Sequence, residues 1–208
     1  ITAGPTREKI DPVRYISNKS SGKMGFSLAK AAMEESAIVQ LITGPVNLET
    51  PERVSRINVE SAQEMCEKVI ESIPEIDLFI STAAVSDFKM KDIKKNKIKK
   101  EDSKSFNLEL EKNEDILKLV SKDNPELKIV GFAAETENLI DNAKKKLISK
   151  KLNLIVANDV SDSSIGFDSD ENEVFLISEK EELKIAKTSK EKVSRKIIQF
   201  ISKNILDD

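Results

Sequence analysis

Apolar positions along the chain repeat in two rhythms, and the rhythms alternate. Ile38–Thr43 (IVQLIT) is a short apolar run closed by Gly44-Pro45, which predicts a buried strand and a turn. From Ser61 to Ile73 the apolar residues Ala62, Met65, Cys66, Val69, Ile70 and Ile73 fall on one helical face, and Ser61-x-x-Glu64 supplies a capping box. Asp77–Thr82 (DLFIST) and Leu127–Ala134 (LKIVGFAA) read as buried strands. Asp115 to Val120 predicts a short helix with Asn113 as its N-cap. Glu137 to Leu152 predicts a longer helix, and Asn153–Asn158 (NLIVAN) the strand after it. Such alternation specifies an α/β fold of three layers, a mostly parallel sheet with helices on both faces.

The C-terminal end breaks the rhythm. Glu173–Ser178 and Leu183–Lys187 flank the polar stretch Glu179–Glu182, which predicts a β-hairpin. Thr188-x-x-Glu191 then caps a final helix whose Val193, Ile197, Ile201 and Ile205 face inward. Pattern is weakest over Gly4 to Ser21, Ala83 to Ser105 and Asp159 to Glu171. Loops after strand C-termini carry the ligand site of an open α/β sheet, so function is expected in these stretches.

Composition narrows the chemistry. The 208 residues, 38% hydrophobic and 34% charged, fit one large domain or two small ones, and a single domain over 1–208 is expected. No apolar run approaches the roughly 18 residues that span a bilayer, so no membrane partner and a cytoplasmic location are expected. With no His and one Cys, the chain has no Ser–His–Asp triad, no His or Cys₄ metal site and no intrachain disulfide. A net charge of −3 argues against nucleic acid as a general partner. Catalysis is left to Lys, Arg, Asp, Glu, Asn, hydroxyls and backbone amides.

Several segments offer such chemistry, each with a plainer alternative. Ser20-Ser21-Gly22-Lys23-Met24-Gly25 precedes the helical run Phe26 to Met33, and Gly4 ends the strand before it. Glycines at a helix start admit a phosphate to free N–H groups, or simply allow close packing. The insertion Pro5 to Lys19 breaks the G-x-G-x-x-G spacing, and Met24 after Gly-Lys excludes a Walker A loop. Arg7, Arg14, Lys19 and Lys23 give this region positive charge, for an anionic substrate or for solvent. In Thr82-Ala83-Ala84-Val85-Ser86-Asp87-Phe88, small residues admit a ligand, and Asp87 suits Mg²⁺, a substrate hydroxyl or a turn cap. Lys89 to Lys100 (KMKDIKKNKIKK) is a solvated surface or a flap, over 83–105, that closes on phosphates. Phe132 stacks on a base or joins the core. Lys146 and Lys150 lie one helical turn apart and repel unless an anion or acid is near. Cys66 reads as core.

In their order, these segments resemble the phosphopantothenate–cysteine ligase (phosphopantothenoylcysteine synthetase) family. The resemblance runs through Ile1–Gly25 (ITAGPTREKIDPVRYISNKSSGKMG), Ser81–Asp87 (STAAVSD), Asn96–Lys100 (NKIKK), Asn113–Leu117 (NEDIL), Gly131–Thr136 (GFAAET), Asn153–Val160 (NLIVANDV) and Gly166–Asn172 (GFDSDEN). It implies a Rossmann-like domain in which CTP, with Mg²⁺, activates the carboxylate of 4′-phosphopantothenate as an acyl cytidylate. The amine of L-cysteine then displaces CMP. It also implies a homodimer with a shared active site. An upstream flavin-dependent decarboxylase is expected too, in keeping with a chain that opens on Ile1 without Met.

The family pattern assigns roles residue by residue. Gly4, Ser20, Gly22 and Gly25 would hold the triphosphate, and Phe132, Lys146, Lys150 and Asn158 the base and sugar. Asn18, Ala83, Ala84 and Asp87 would contact phosphopantothenate, with Arg14 reaching the neighbouring subunit's site. Lys97 matches the lysine needed to turn over the acyl cytidylate, and Asn18 joins it as catalytic. No residue is assigned as a protein metal ligand. The extra Lys94-Lys95 and Glu114, in place of the usual proline, depart from the pattern. A nicotinamide or flavin oxidoreductase of the same topology and a non-catalytic nucleotide-binding module stand as rivals.

Overall fold

A computed structural model of the chain describes residues 1–99, 107–135, 137–159 and 169–206. The expectations placed on Lys100, Ser105, Thr136 and residues 160–168 lie outside the described residues. In chain order the first elements are β1 (Thr2–Ala3), β2 (Arg7–Lys9), β3 (Tyr15–Ser17), α1 (Lys23–Glu34), β4 (Val39–Thr43), β5 (Val54–Asn58) and α2 (Ala62–Ser72). Then come β6 (Leu78–Ser81), β7 (Phe88–Met90), β8 (Leu110–Lys112), α3 (Ile116–Asp123), β9 (Lys128–Glu135) and α4 (Leu139–Ser149). The chain closes with β10 (Leu154–Asp159), β11 (Glu171–Ile177), β12 (Glu182–Ser189) and α5 (Lys190–Ile201).

Among the described residues eight strands make the main sheet, in the order β12-β11-β10-β9-β6-β1-β4-β5. From β5 to β10 all pairs are parallel, and β11 and β12 extend the sheet antiparallel. The parallel part has the strand order of a doubly wound, Rossmann-like fold. Apolar side chains leave both faces of the sheet. On one face α1 and α5 bury Leu28, Val193, Ile197 and Ile201 over Val130 and Val156. On the other α2, α3 and α4 bury Met65, Val69, Val120 and Leu147 over Phe79 and Ile129. Each fully buried aliphatic side chain of this kind stabilises by about 1.5–3 kcal/mol. Cys66 is buried in the second cluster, where burial pushes its thiol above the usual range.

Local signals set most helix starts, with shifts of a residue or two. Ser61 Oγ accepts the Glu64 N–H at 3.1 Å as predicted, but the Glu64 carboxylate reaches one residue further than a capping box requires and accepts the Glu60 N–H at 2.7 Å. Asn113 is not the cap of α3. The helix starts at Ile116, so Asp115 takes that role and accepts the Lys118 N–H at 3.1 Å, while Asn113 Nδ2 donates to the Ser86 carbonyl at 2.9 Å. Thr188 is not the cap of α5 either. It pairs with Asn172 inside β12, and Ser189 caps the helix through the Lys192 N–H at 3.4 Å.

One pattern-poor stretch holds a hairpin, and a second hairpin begins in another and ends beyond it. β2 pairs antiparallel with β3, and β7 with β8. Each strand spans three residues, too short and too polar to show a period of two. The first hairpin is pinned to α2: buried Glu8 accepts the Ala62 N–H at 2.9 Å, and the Arg7 N–H donates to the Glu60 carbonyl at 2.7 Å. The predicted C-terminal hairpin is present as β11 and β12, and Val193, Ile197, Ile201 and Ile205 are all buried.

A tight joint between α1 and the sheet lies at Gly25. A Cβ there would lie 2.5 Å from Ala3 Cβ and 2.7 Å from Thr82 Oγ1. Gly25→Ala should therefore cost about 1–3 kcal/mol through overpacking. The check is the urea midpoint, which should fall with the slope unchanged.

Candidate functional site

Chain connections diverge at the centre of the sheet: β1 leads outward to β4, while its other neighbour β6 leads the opposite way to β9. A reversal of this kind leaves a crevice at the strand C-termini. Here it is a cavity of about 520 Å³, lined by Gly4, residues 18–25, residues 81–87, residues 113–117, and parts of β9, β10, β11 and α5. The two strand-end loops that form its floor are tied together. The Ala84 N–H donates to the Gly4 carbonyl at 2.9 Å, and the Ser86 N–H donates to Thr6 Oγ1 at 2.9 Å. Thr82 Oγ1 donates to the Thr2 carbonyl.

Helix α1 opens directly onto this cavity. Gly22 holds its N-cap position in the left-handed region (φ 77°) and provides no side-chain cap. Gly4 is also left-handed, at φ 70°. A side chain on either would press on Val46. With Gly25 against β1 and β6, the first turn of α1 presents backbone N–H groups and its positive dipole end to the cavity. Ser20 Oγ accepts the Gly22 N–H at 3.3 Å and holds the approach to the helix. Opposite, Asn18 Nδ2 donates to the Val85 carbonyl at 2.9 Å, which bridges the two loops across the cavity mouth.

Charge around the cavity is arranged in pairs. Lys23 Nζ lies 2.6 Å from Asp170, and that hydrogen bond holds the Asp170 carboxyl below its usual range. Lys150 Nζ lies 2.9 Å from Asp115. Burial works to raise the Asp115 carboxyl, but the bonds from Lys150 and the Lys118 N–H outweigh it and lower it. Lys190 lines the cavity with only 6% of its surface exposed. Among the described residues no group of three or more His, Cys, Asp or Glu side chains could hold a metal. A metal at this cavity would have to bring further ligands of its own, as phosphate-bound Mg²⁺ does.

The structure gathers most of the sequence-predicted residues. Gly4, Ser20, Gly22 and Gly25 line the cavity, as do Asn18, Ala83, Ala84 and Asp87. Phe132, Lys150 and Asn158 lie on the β9–β10 side. Phe132 lines the cavity and, partly buried, packs against the core. Three residues lie outside the lining. Lys146 turns to Glu135 at 2.6 Å, which relieves its repulsion from Lys150. Arg14 binds Asp11 and the Ile98 carbonyl of its own chain. Lys97 is exposed beside Ile98. Sequence reasoning missed Lys190, Asn172, Asn113 and Asp115 as lining residues. Asn113 and Asp115 sat inside a recognised segment, but Lys190 had no local signal, since its place depends on how α5 packs on α1.

Residues 1–205 match the family described as DNA/pantothenate metabolism flavoprotein C-terminal domain. The coenzyme A biosynthesis bifunctional protein CoaBC of Vibrio vulnificus is 48% identical over 203 residues, 97% of this chain and 51% of that protein. That of Bacillus subtilis is 48% identical over 206 residues, 97% of this chain and 50% of that protein. The chain spans about half the length of these curated relatives. The crystal structure of the C-terminal domain of a CoaBC protein superposes with a TM-score of 0.84 at 39% identity, covering 100% of this chain and 94% of that one. A Cab2 mutant in complex with phosphopantothenate-cysteine shares the fold, with a TM-score of 0.78 at 17% identity over 99% of this chain and 86% of that one. Sequence and architecture agree along almost the entire length, and the chain belongs to the family of DNA/pantothenate metabolism flavoprotein C-terminal domains.

Proposed function

We propose that this domain ligates 4′-phosphopantothenate to L-cysteine at the expense of CTP, as one step of coenzyme A biosynthesis. The observation that carries the reading is the cavity itself. One crevice joins an uncapped helix N-terminus, a small-residue loop bridged by Asn18, and an aromatic face at Phe132. Those are the parts a triphosphate, a carboxylate substrate and a base require, and the similarity to CoaBC C-terminal regions supports the assignment. A flavin-dependent decarboxylase as the companion domain belongs to the same proposal.

The chemistry needs no protein nucleophile. The pantothenate carboxylate attacks the α-phosphorus of CTP, and the bond to the β-phosphate oxygen breaks to release pyrophosphate. The amine of cysteine then attacks the acyl carbon and loses a proton, and CMP leaves with the acyl–oxygen bond pair. Glycine-flanked N–H groups of α1, with Lys23 and Lys190, face the triphosphate, and Mg²⁺ on the nucleotide supplies the remaining positive charge. Lys23 and Lys150 are already paired with Asp170 and Asp115 within reach of solvent, where exchange for a phosphate oxygen costs little. Asn18, held by Val85, orients the acyl group between the two loops. Base and sugar lie against Phe132, Lys150 and Asn158, with Lys146 at the rim. Ala83, Ala84 and Asp87 border the pantothenate side.

The working unit in this proposal is a homodimer. Val13 and Tyr15 on the first hairpin, and Phe88, Ile93 and Leu110 on or beside the second, are large exposed apolar side chains. The two hairpins meet through β2 and β7. A second copy seated there would bring Arg14 to its partner's cavity.

Three outcomes follow from this reading. With CTP, Mg²⁺ and phosphopantothenate, pyrophosphate should appear in about one equivalent without cysteine and continuously with it. No pyrophosphate, or equal rates with ATP, would count against the CTP ligase. Bound flavin or nicotinamide in the absorbance spectrum would favour the oxidoreductase instead. Lys97→Gln should slow the cysteine step about a hundredfold, roughly 3 kcal/mol, while the acyl cytidylate still forms and accumulates in quenched samples. Lys94→Gln should be nearly neutral in the same assay. Arg14→Ala and Asn18→Ala chains, each inactive alone, should regain activity when mixed, and Tyr15→Glu should shift the sedimentation profile toward monomer.

A further inference from the structure

We propose that Asp11 is a positioning residue: it clamps the lysine segment to the first hairpin and sets Arg14 and Lys97 as one unit. The clamp stands on geometry alone, and its consequence for turnover rests on the ligase reading above. Asp11 sits in the turn between β2 and β3 with 2% of its surface exposed. Its Oδ1 accepts the N–H groups of Val13 and Arg14, both at 2.8 Å, which closes the turn. Its Oδ2 does something the turn does not need. It accepts Arg14 Nε at 3.0 Å, Arg14 Nη2 at 2.5 Å and the Ile98 N–H at 3.1 Å.

Arg14 completes the arrangement by donating from Nη2 to the Ile98 carbonyl at 2.8 Å. Both backbone groups of Ile98 are thus held by an ion pair, as a neighbouring strand would hold them. A second tether runs from the Lys94 N–H to the Ile10 carbonyl at 3.0 Å. Lys97 lies between the two tethers, with its backbone placed and its side chain left in solvent. Burial works to raise the Asp11 carboxyl, yet the bonds from Ile98, Arg14 and Val13 hold it well below the usual range. The carboxylate is therefore charged in the clamp, and hydrogen bonds to a charged acceptor are the strong ones. Arg14 and Lys97, which the family resemblance assigns separate roles, share this one support.

Asp11→Asn separates the turn from the clamp. The amide oxygen can still accept from Val13 and Arg14 in place of Oδ1. The amide nitrogen then replaces Oδ2 and presents hydrogens to the Ile98 N–H and the guanidinium, which are themselves donors. Limited trypsin digestion of the intact protein, followed by mass spectrometry, reads the result. Cleavage at Lys97–Ile98 should rise about tenfold or more, while cleavage after Lys192 in α5 stays at its wild-type rate. In the ligation assay kcat should fall with the KM for CTP unchanged, and Asp11→Glu, one methylene longer, should restore neither readout. An unchanged Lys97–Ile98 rate overturns the clamp. So does an equal rise at Lys192, which would mark a role in stability only. Should the wild-type protein show no ligation, the ligase reading fails, and the trypsin arm still decides the clamp.

Discussion

The site depends on the close approach of α1 to the ends of β1 and β6. Only a hydrogen at Gly25 lets the helix backbone rest on Ala3 and Thr82. That contact aims the first turn of α1 at the point where strand order reverses. A larger side chain would lift the helix start away, and the N–H groups of its first turn would no longer face the loop at residues 81–87. Gly4 and Gly22 serve the same approach differently, by adopting backbone conformations that other residues enter at a cost. The core behind this joint is ordinary, with aliphatic layers on both sheet faces. Its task is to hold the central strands so that the two loops meet.

The hairpins that leave these loops extend the site beyond the sheet. Both emerge at the crevice, and the first is fixed by buried polar contacts. Glu8 spends its carboxylate on the N-terminus of α2, and Asp11 spends its own on Arg14 and Ile98. Buried carboxylates are tolerated here because each meets N–H donors, which offset the loss of water. The hairpins also expose Tyr15, Phe88 and Leu110 among charged neighbours such as Lys89 and Glu111. In the proposed dimer these side chains would meet another copy of the chain.

The lysines of the site illustrate how a strongly charged chain keeps a cavity receptive to anions. Lys23, Lys146 and Lys150 each have an acidic partner within hydrogen-bonding distance. Those partners prevent mutual repulsion in the absence of ligand. The pairs of Lys23 with Asp170 and of Lys150 with Asp115 remain open to solvent, where an ion pair is weak and readily exchanged. Lys190 differs, being buried at the start of α5 where it lines the cavity. Its position gives the proposed triphosphate site a cation that need not travel.

Much of this was legible in the sequence because it depends on local pattern. Periodicity gave β4, β6, β9, β10 and the helices but not the edge strand β5, the run of Val193, Ile197, Ile201 and Ile205 gave the inward face of α5, and Ser61 with Glu64 gave the start of α2. The glycine cluster at residues 22–25 and the small residues 83 and 84 marked the cavity, since close backbone approach needs particular residue types. What local pattern could not supply was choice among partners. Asn113 read as the cap of α3, but its amide reaches the Ser86 carbonyl and Asp115 caps the helix. The hairpins were invisible because their strands are short and polar, and contacts with α2 and with each other hold them. Asp11 and Ile98 are 87 positions apart, so nothing in the neighbourhood of either announces the bond between them. The sequence by itself determined the layers and the chemistry at the strand ends. Tertiary structure alone decided which distant polar groups pair, because a buried donor or acceptor takes its partner from whatever the fold brings within reach.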